Sequence, residues 1–275
     1  MAEVTYKREG RVGLIHIDAA ATGNALTPDL RKQLNAALNA YKHDDEAWAG
    51  VISSAGPDFC VGTQEAAPTS HSGKRERGTL WAGGYVEIWK PTIAAVQGQC
   101  RGEGLALALG CDLRVADSTT KFAADLSGDA SEPNVVGAWL LNHVGLSTAF
   151  GMLWMQQELD AKQALAVGLV NRVAVTGPKS SAAEGTERFP MQAMVSDLSV
   201  PEGTATAAAM AYAEELLQYA PVTRVFQKEI ALRSVGAPFH YAQTLEVGPD
   251  PYSSTDRIEG TRAFVENRRP VWINK

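Results

Sequence analysis

Residues 90–116, KPTIAAVQGQCRGEGLALALGCDLRVA, settle the fold class of this chain. Thr92 to Val96 reads as a short strand, and Gly98 ends it. Beyond Gly102, the run Leu105 to Leu109 is apolar enough for a buried helix. After Asp112, Leu113 to Ala116 reads as another strand. Strand, glycine-rich turn, buried helix and strand in this order indicate an α/β fold whose site is built from loops at one end of its sheets.

Toward the N-terminus, Val12 to Asp18 alternates apolar and polar residues as a strand does. Thr27-Pro28 then opens a helical period through Leu30, Leu34, Leu38 and Tyr41. Ala49 to Ser53 is a second short strand, followed by the turn Ser54-Ala55-Gly56-Pro57. Residues 66–79 read as a mobile loop ahead of a helix bearing Trp81, Tyr85 and Trp89, which could wall a substrate or pack the core. From Ala205 the pattern is helical, and the Gly-, Pro- and Ser-rich stretch before it reads as a linker or insertion. The expected division is a core over 1–203, with the linker at 176–203, and a helical region over 204–275.

Composition narrows the function classes. A chain of 275 residues with 45% hydrophobic content can bury a sizeable core. A net charge of -6 argues against nucleic-acid and anionic-membrane partners, which reward clustered Lys and Arg. No apolar run is long enough to cross a bilayer, and MAEVTYKREG lacks the apolar stretch of a signal peptide, so a soluble cytoplasmic protein is expected. Cys60, Cys100 and Cys111 are too few for a disulfide framework and lack zinc-site spacing. They read as small buried hydrophobes, and no metal site is expected.

Several segments in order resemble the crotonase superfamily, the enoyl-CoA hydratases and isomerases. They are Gly23-Asn24-Ala25-Leu26, SSAGPDFCVGT (53–63), the 90–116 stretch, GAWLLNHVG (137–145), QELDAKQALAVGLVNRV (157–173) and EGTRAFVENRRPVW (259–272). The resemblance implies a spiral of repeated ββα units with a C-terminal helical region, assembled as a homotrimer or a dimer of trimers. It also implies an acyl carbonyl held between two peptide N–H groups that stabilise a developing enolate. Carried onto this chain, those donors are Thr63 and Glu103, while Ala25, Phe59, Val61 and Gly102 line the thioester site. Coenzyme A is expected as part of the substrate, with no separate cofactor. Glu103 departs from the family's usual glycine. Its main chain can still donate, and its carboxylate can enter the pocket, fill it or turn outward.

The acid/base groups that the resemblance implies are missing. Ala106 stands at the first hydratase glutamate, Leu126 at the second, and Asn134 at an aspartate used by some isomerases. None can exchange a proton near neutral pH. A local shift in 122–133 would bring in Asp129 or Glu132, the favoured candidates, or Asp125, the third choice. Histidines offer less: His143 reads as a packed or capping residue and His71 as a loop residue.

Ordinary hydration is therefore not expected. Isomerisation, decarboxylation or C–C cleavage of an acyl-CoA fits better, and Gln64-Glu65 resembles a string found in decarboxylating relatives. Phosphate-binding cations are not evident in Ala19-Ala20-Ala21-Thr22-Gly23. Lys74 to Arg77, or Arg268, Arg269 and Lys275, could supply them. A coenzyme-A-independent β-diketone hydrolase and a catalytically silent binding or assembly protein are the alternatives.

Overall fold

The computed structural model describes residues 2–63, 86–125, 133–176, 198–200 and 204–275, with the main chain alone at 133–135, 138, 175–176 and 198–200. Two strands open the chain, β1 (Glu3–Glu9) and β2 (Val12–Asp18), and a single 3-10 turn leads to α1 (Pro28–His43). The 90–116 stretch follows β3 (Ala49–Ser54) and contains β4 (Thr92–Val96), β5 (Gln99–Arg101), α2 (Glu103–Gly110) and the start of β6 (Leu113–Asp117). Next come β7 (Lys121–Ala123), α3 (Pro133–Leu141), α4 (Leu146–Trp154), β8 (Leu159–Asp160), α5 (Ala161–Ala166) and β9 (Arg172–Thr176). The chain finishes with β10 (Leu198–Val200), α6 (Ala205–Leu216), α7 (Pro221–Ser234), α8 (Phe239–Ala242) and α9 (Thr255–Val265).

One sheet has the order β1-β2-β3-β4-β6-β9-β10, antiparallel only at β1–β2, and the other has the order β5-β7-β8. Every residue of β3 and β4 is buried because helices cover both faces of the larger sheet. On one face Ile15, Ile17, Ile52 and Val96 join α1 and α2 in the main core. On the other, Val12, Val51, Ile93 and Val115 meet Ala205, Ala208, Ala209 and Ala213, whose small side chains let α6 lie close to the strands. The first helix of the 204–275 stretch is thus part of the sheet's own packing. Strand β10, inside the 176–203 stretch, extends the sheet beside β9.

Local signals account for α1. Thr27 caps it by accepting from the Leu30 N–H, Pro28 occupies the first turn, and Leu30, Leu34, Leu38 and Tyr41 point inward. Strand β1 escaped the sequence reading: it sits at the sheet edge with mostly exposed, charged residues and shows no strong apolar alternation. Among the described residues, no helix is long and apolar enough to cross a membrane.

The two sheets meet tightly at α2. A Cβ on Gly104 would stand 2.3 Å from the Cys60 carbonyl oxygen and 2.7 Å from the Cys60 Cβ, so glycine alone lets α2 rest on that peptide. Gly104→Ala should lower stability by about 2 kcal/mol or more, as overpacked sites do. Gly137→Ala, where among the described residues the added Cβ meets only Leu153 at 3.8 Å, should be near neutral. Paired urea titrations read both, and equal midpoints would refute the close-packing account.

Candidate active site

The site begins with one short parallel pairing. Cys60 and Cys100 form an isolated parallel bridge, in which the Cys60 N–H donates to Gln99 O at 3.1 Å and the Arg101 N–H to Cys60 O at 3.0 Å. Three residues beyond each cysteine lie Thr63 and Glu103, whose side chains touch: the Thr63 hydroxyl donates to Glu103 Oε2 at 2.7 Å. Glycines allow the intervening bends. Gly102 has φ 49 and ψ -117, a conformation closed to other residues, and a Cβ there would lie 3.8 Å from the Cα of Gly62.

The first loop is braced from Gly23-Asn24-Ala25-Leu26. Asn24, fully buried in a left-handed conformation, accepts from the Ala19 N–H at 2.9 Å and donates to Ala55 O at 2.8 Å and Asp58 O at 2.7 Å. The Val61 N–H donates to Gly23 O and the Leu26 N–H to Gly62 O, which clamps the strand on both sides of Gly62. The bridge of Leu26 with Thr63 uses the Gly62 carbonyl, not the N–H of Thr63. Glu103 opens α2, where the first N–H groups have no partner within the helix. Among the described residues no acceptor meets either N–H, and the helix dipole adds positive potential at Glu103.

Of the three orientations open to the Glu103 side chain, the structure takes one that turns toward α1. Its Oε1 accepts from Arg31 Nε at 2.7 Å, and its Oε2 from Arg31 Nη2 at 2.5 Å and from the Thr63 hydroxyl at 2.7 Å. Arg31 Nη2 also donates to Thr63 Oγ1 at 3.1 Å. The ion pair is largely enclosed, with 18% of the Arg31 side chain and 8% of the Glu103 side chain exposed. Beneath it, burial pushes the Cys60 thiol up to about 12 and the Glu103 carboxylate adds to the effect, against opposing contributions from Gly62 and Arg31. Cys60 is thus a protonated packing residue at neutral pH.

The remaining expected residues are dispersed. Ala25 and Phe59 are enclosed in the protein, with Phe59 in the main core, while Val61 and Gly102 keep some surface. Ala106 is 1% exposed and adds an apolar wall inside α2. Asp129, Glu132, Leu126, His71, Gln64, Glu65, Trp81, Tyr85 and the basic run at 74–77 lie outside the described residues, and only the main chain of Asn134 is described, in α3.

Asp125 adopts a left-handed φ of 32, and its carbonyl lies 3.4 Å from where a Cβ on Gly102 would stand. Its carboxylate is 3.9 Å from Arg101. His143 Nδ1 lies 2.8 Å from Trp139 O, and burial holds its pKa below the ordinary value. Trp89 stacks under Arg233, and Arg268 is engaged by Glu259 and Glu266. Among the described residues no group of three or more His, Cys, Asp or Glu is placed to hold a metal ion.

A family model for enoyl-CoA hydratase/isomerase matches residues 7–179. The chain belongs to this family. Curated members similar to it include a probable mitochondrial enoyl-CoA hydratase of Dictyostelium discoideum, 25% identical across 98% of this chain and 91% of that protein. The mitochondrial methylglutaconyl-CoA hydratase of Mus musculus is 29% identical across 94% of this chain and 78% of that protein. Among solved structures, a probable enoyl-CoA hydratase/isomerase from Mycobacterium abscessus superposes with a TM-score of 0.75 at 25% identity, covering 99% of both chains. The fold is the α/β crotonase fold, with helices at the C-terminus.

Arg31, which contacts both Thr63 and Glu103, is the residue of the candidate site that the sequence reading missed. It occupies a helix position between apolar Leu30 and Leu34 and reads as an ordinary surface charge. The one available signal was the unusual Glu103, which at a buried helix start demands a cation. Arg31→Met should destabilise the protein by about 3 kcal/mol, because it takes the guanidinium from the enclosed Glu103 carboxylate, and Glu103→Gln, which removes a carboxylate that Arg31 binds, should destabilise it as well. The double variant should recover much of that loss. Chemical denaturation of all three reads the cycle, and additive losses would show that the pair is not energetically coupled.

Proposed function

We propose that this family member acts on acyl-CoA thioesters, with the thioester carbonyl accepting hydrogen bonds from the peptide N–H groups of Thr63 and Glu103. Negative charge that reaches the carbonyl oxygen as a bond at the α-carbon breaks would be met by fixed dipoles, which need no reorganisation when the charge develops. The observation that supports this reading is the Cys60–Cys100 register three residues before Thr63 and Glu103, two residues whose side chains touch and whose N–H groups meet no acceptor among the described residues. The relatives' names support an acyl-CoA substrate.

The reaction proposed is not simple syn hydration. That chemistry needs one group to activate water and another to deliver a proton, and Ala106 offers neither at the place of the first glutamate. Isomerisation, decarboxylation or C–C cleavage makes its main demand on the oxyanion site, with Asp129 and Glu132 proposed to move a proton where one is needed. In decarboxylation the C–C electron pair passes into the enolate as carbon dioxide leaves, so no general base is required.

The test is a thermal-shift series with coenzyme A and acyl thioesters, followed by turnover of crotonyl-CoA and of a β-carboxyacyl thioester. Stabilisation by thioesters should accompany crotonyl-CoA hydration at least about a hundredfold slower than that of an enzyme with both carboxylates, given the usual contribution of general acid/base groups. Asp129→Asn or Glu132→Gln should lower turnover wherever a proton moves. Full-rate hydration would refute the proposed chemistry. Failure of every thioester to bind would refute the substrate class and favour a β-diketone hydrolase, which cleaves its substrate without coenzyme A. Binding without turnover would favour a silent member.

The proposed assembly is a homotrimer or a dimer of trimers in the cytoplasm. Large apolar side chains exposed on the later helices support self-association, among them Trp154 at 71% and Phe239 at 78% exposure. Light scattering on the eluting protein should give three or six times the 29.3 kDa chain mass. A monomer mass at micromolar concentration would refute the assembly.

A further inference from the structure

A carboxylate on one of the two donor residues creates an electrostatic problem for the proposed site. The Thr63 hydroxyl that binds Glu103 Oε2 at 2.7 Å belongs to the other donor residue, so the negative group lies one side chain away from both peptides. An enolate oxygen arriving there would meet a like charge in a poorly hydrated place, where such charges interact strongly. Arg31 reaches across from α1 and places Nε and Nη2 on the two oxygens of that carboxylate. The same Nη2 touches Thr63 Oγ1, so one guanidinium spans both donor residues.

We propose that Arg31 is the electrostatic counterweight of the oxyanion hole, a positioning residue whose charge cancels that of Glu103 and whose removal would turn the hole against an anion. This inference rests on the acyl-thioester reading above and deepens it. The pair is net neutral, so the dipoles of the two peptides and of α2 decide the sign of the potential at the carbonyl oxygen. Without Arg31 the Glu103 carboxylate would dominate. Without Glu103 the hole would gain a positive charge. Among the described residues, the other ionisable groups nearby are the Cys60 thiol, which burial keeps protonated, and Arg101 with its partners Asp125 and Glu158.

Acetoacetyl-CoA is a suitable probe, because its α-carbon ionises to an enolate that absorbs in the near ultraviolet. The measurement is the pH at which the bound probe ionises, read in saturating protein for wild type, Glu103→Gln, Arg31→Met, Arg31→Lys and the Arg31→Met, Glu103→Gln double variant. Wild type should ionise the probe below its solution value. Arg31→Met should cut the enolate constant by about tenfold or more relative to wild type, the scale expected of one unscreened charge in contact range. Glu103→Gln should exceed wild type by about tenfold, because its Arg31 charge is then opposed by no Glu103 carboxylate, and the double variant should return close to wild type. Arg31→Lys, which keeps the charge but loses the fork, should stay within about threefold of wild type.

A structural role alone predicts another order, with the double variant no better than Arg31→Met. If Arg31→Met does not fold, the comparison of Glu103→Gln with the double variant carries the test, since only the Arg31 charge separates them. Equal enolate constants in that pair, or an unchanged constant in Arg31→Met, would overturn the counterweight. A wild-type protein that leaves the probe at its solution ionisation, or does not bind it, would instead overturn the oxyanion-hole reading and this inference with it. The two failures are therefore distinguishable.

Discussion

The contact between the Cys60 peptide and the start of α2 is the constraint on which the rest of this structure depends. It joins the connection after β3 to the strand β5, fixes a parallel register at Cys60 and Cys100, and leaves so little room that residue 104 has no side chain. A register is a discrete quantity. Once the cysteines pair, the residues three places on are neighbours too, and a slip by one would separate them. Thr63 and Glu103 owe their juxtaposition to this pairing more than to anything in their own side chains.

Glutamate at the second of these positions is costly by itself. Removing a carboxylate from water is compensated only when a cation and further donors surround it. Arg31 and the Thr63 hydroxyl supply three such contacts, and the forked guanidinium suits a two-oxygen acceptor better than an ammonium would. The arrangement ties α1, the Thr63 strand and α2 together. It also explains how the start of α2 can hold an acid without a bare negative charge beside the candidate site.

Main-chain donors and side-chain acids answer to different constraints. Peptide N–H groups persist through almost any substitution that preserves the backbone, whereas a general acid disappears with one residue. Ala106, enclosed within α2, is proposed as the second case, and Thr63 with Glu103 as the first. A fold of this kind can therefore keep the means of stabilising an oxyanion while its proton chemistry changes.

Much of the fold was legible in short windows. The runs at 49–53 and 92–96 announced short strands, and Thr27-Pro28 with its spaced leucines announced α1, because burial pattern and capping are set by residues close in sequence. The edge strand β1 and the short β10 were not legible, since an exposed edge or a three-residue strand imposes little pattern. At the candidate site, residue identity and order were enough to propose Thr63 and Glu103 as donors and to note alanine at position 106. The fate of the Glu103 side chain was decided only by the tertiary structure: its partner Arg31 lies 72 residues away on another helix, and no local pattern records which charge a folded chain will bring to a buried acid.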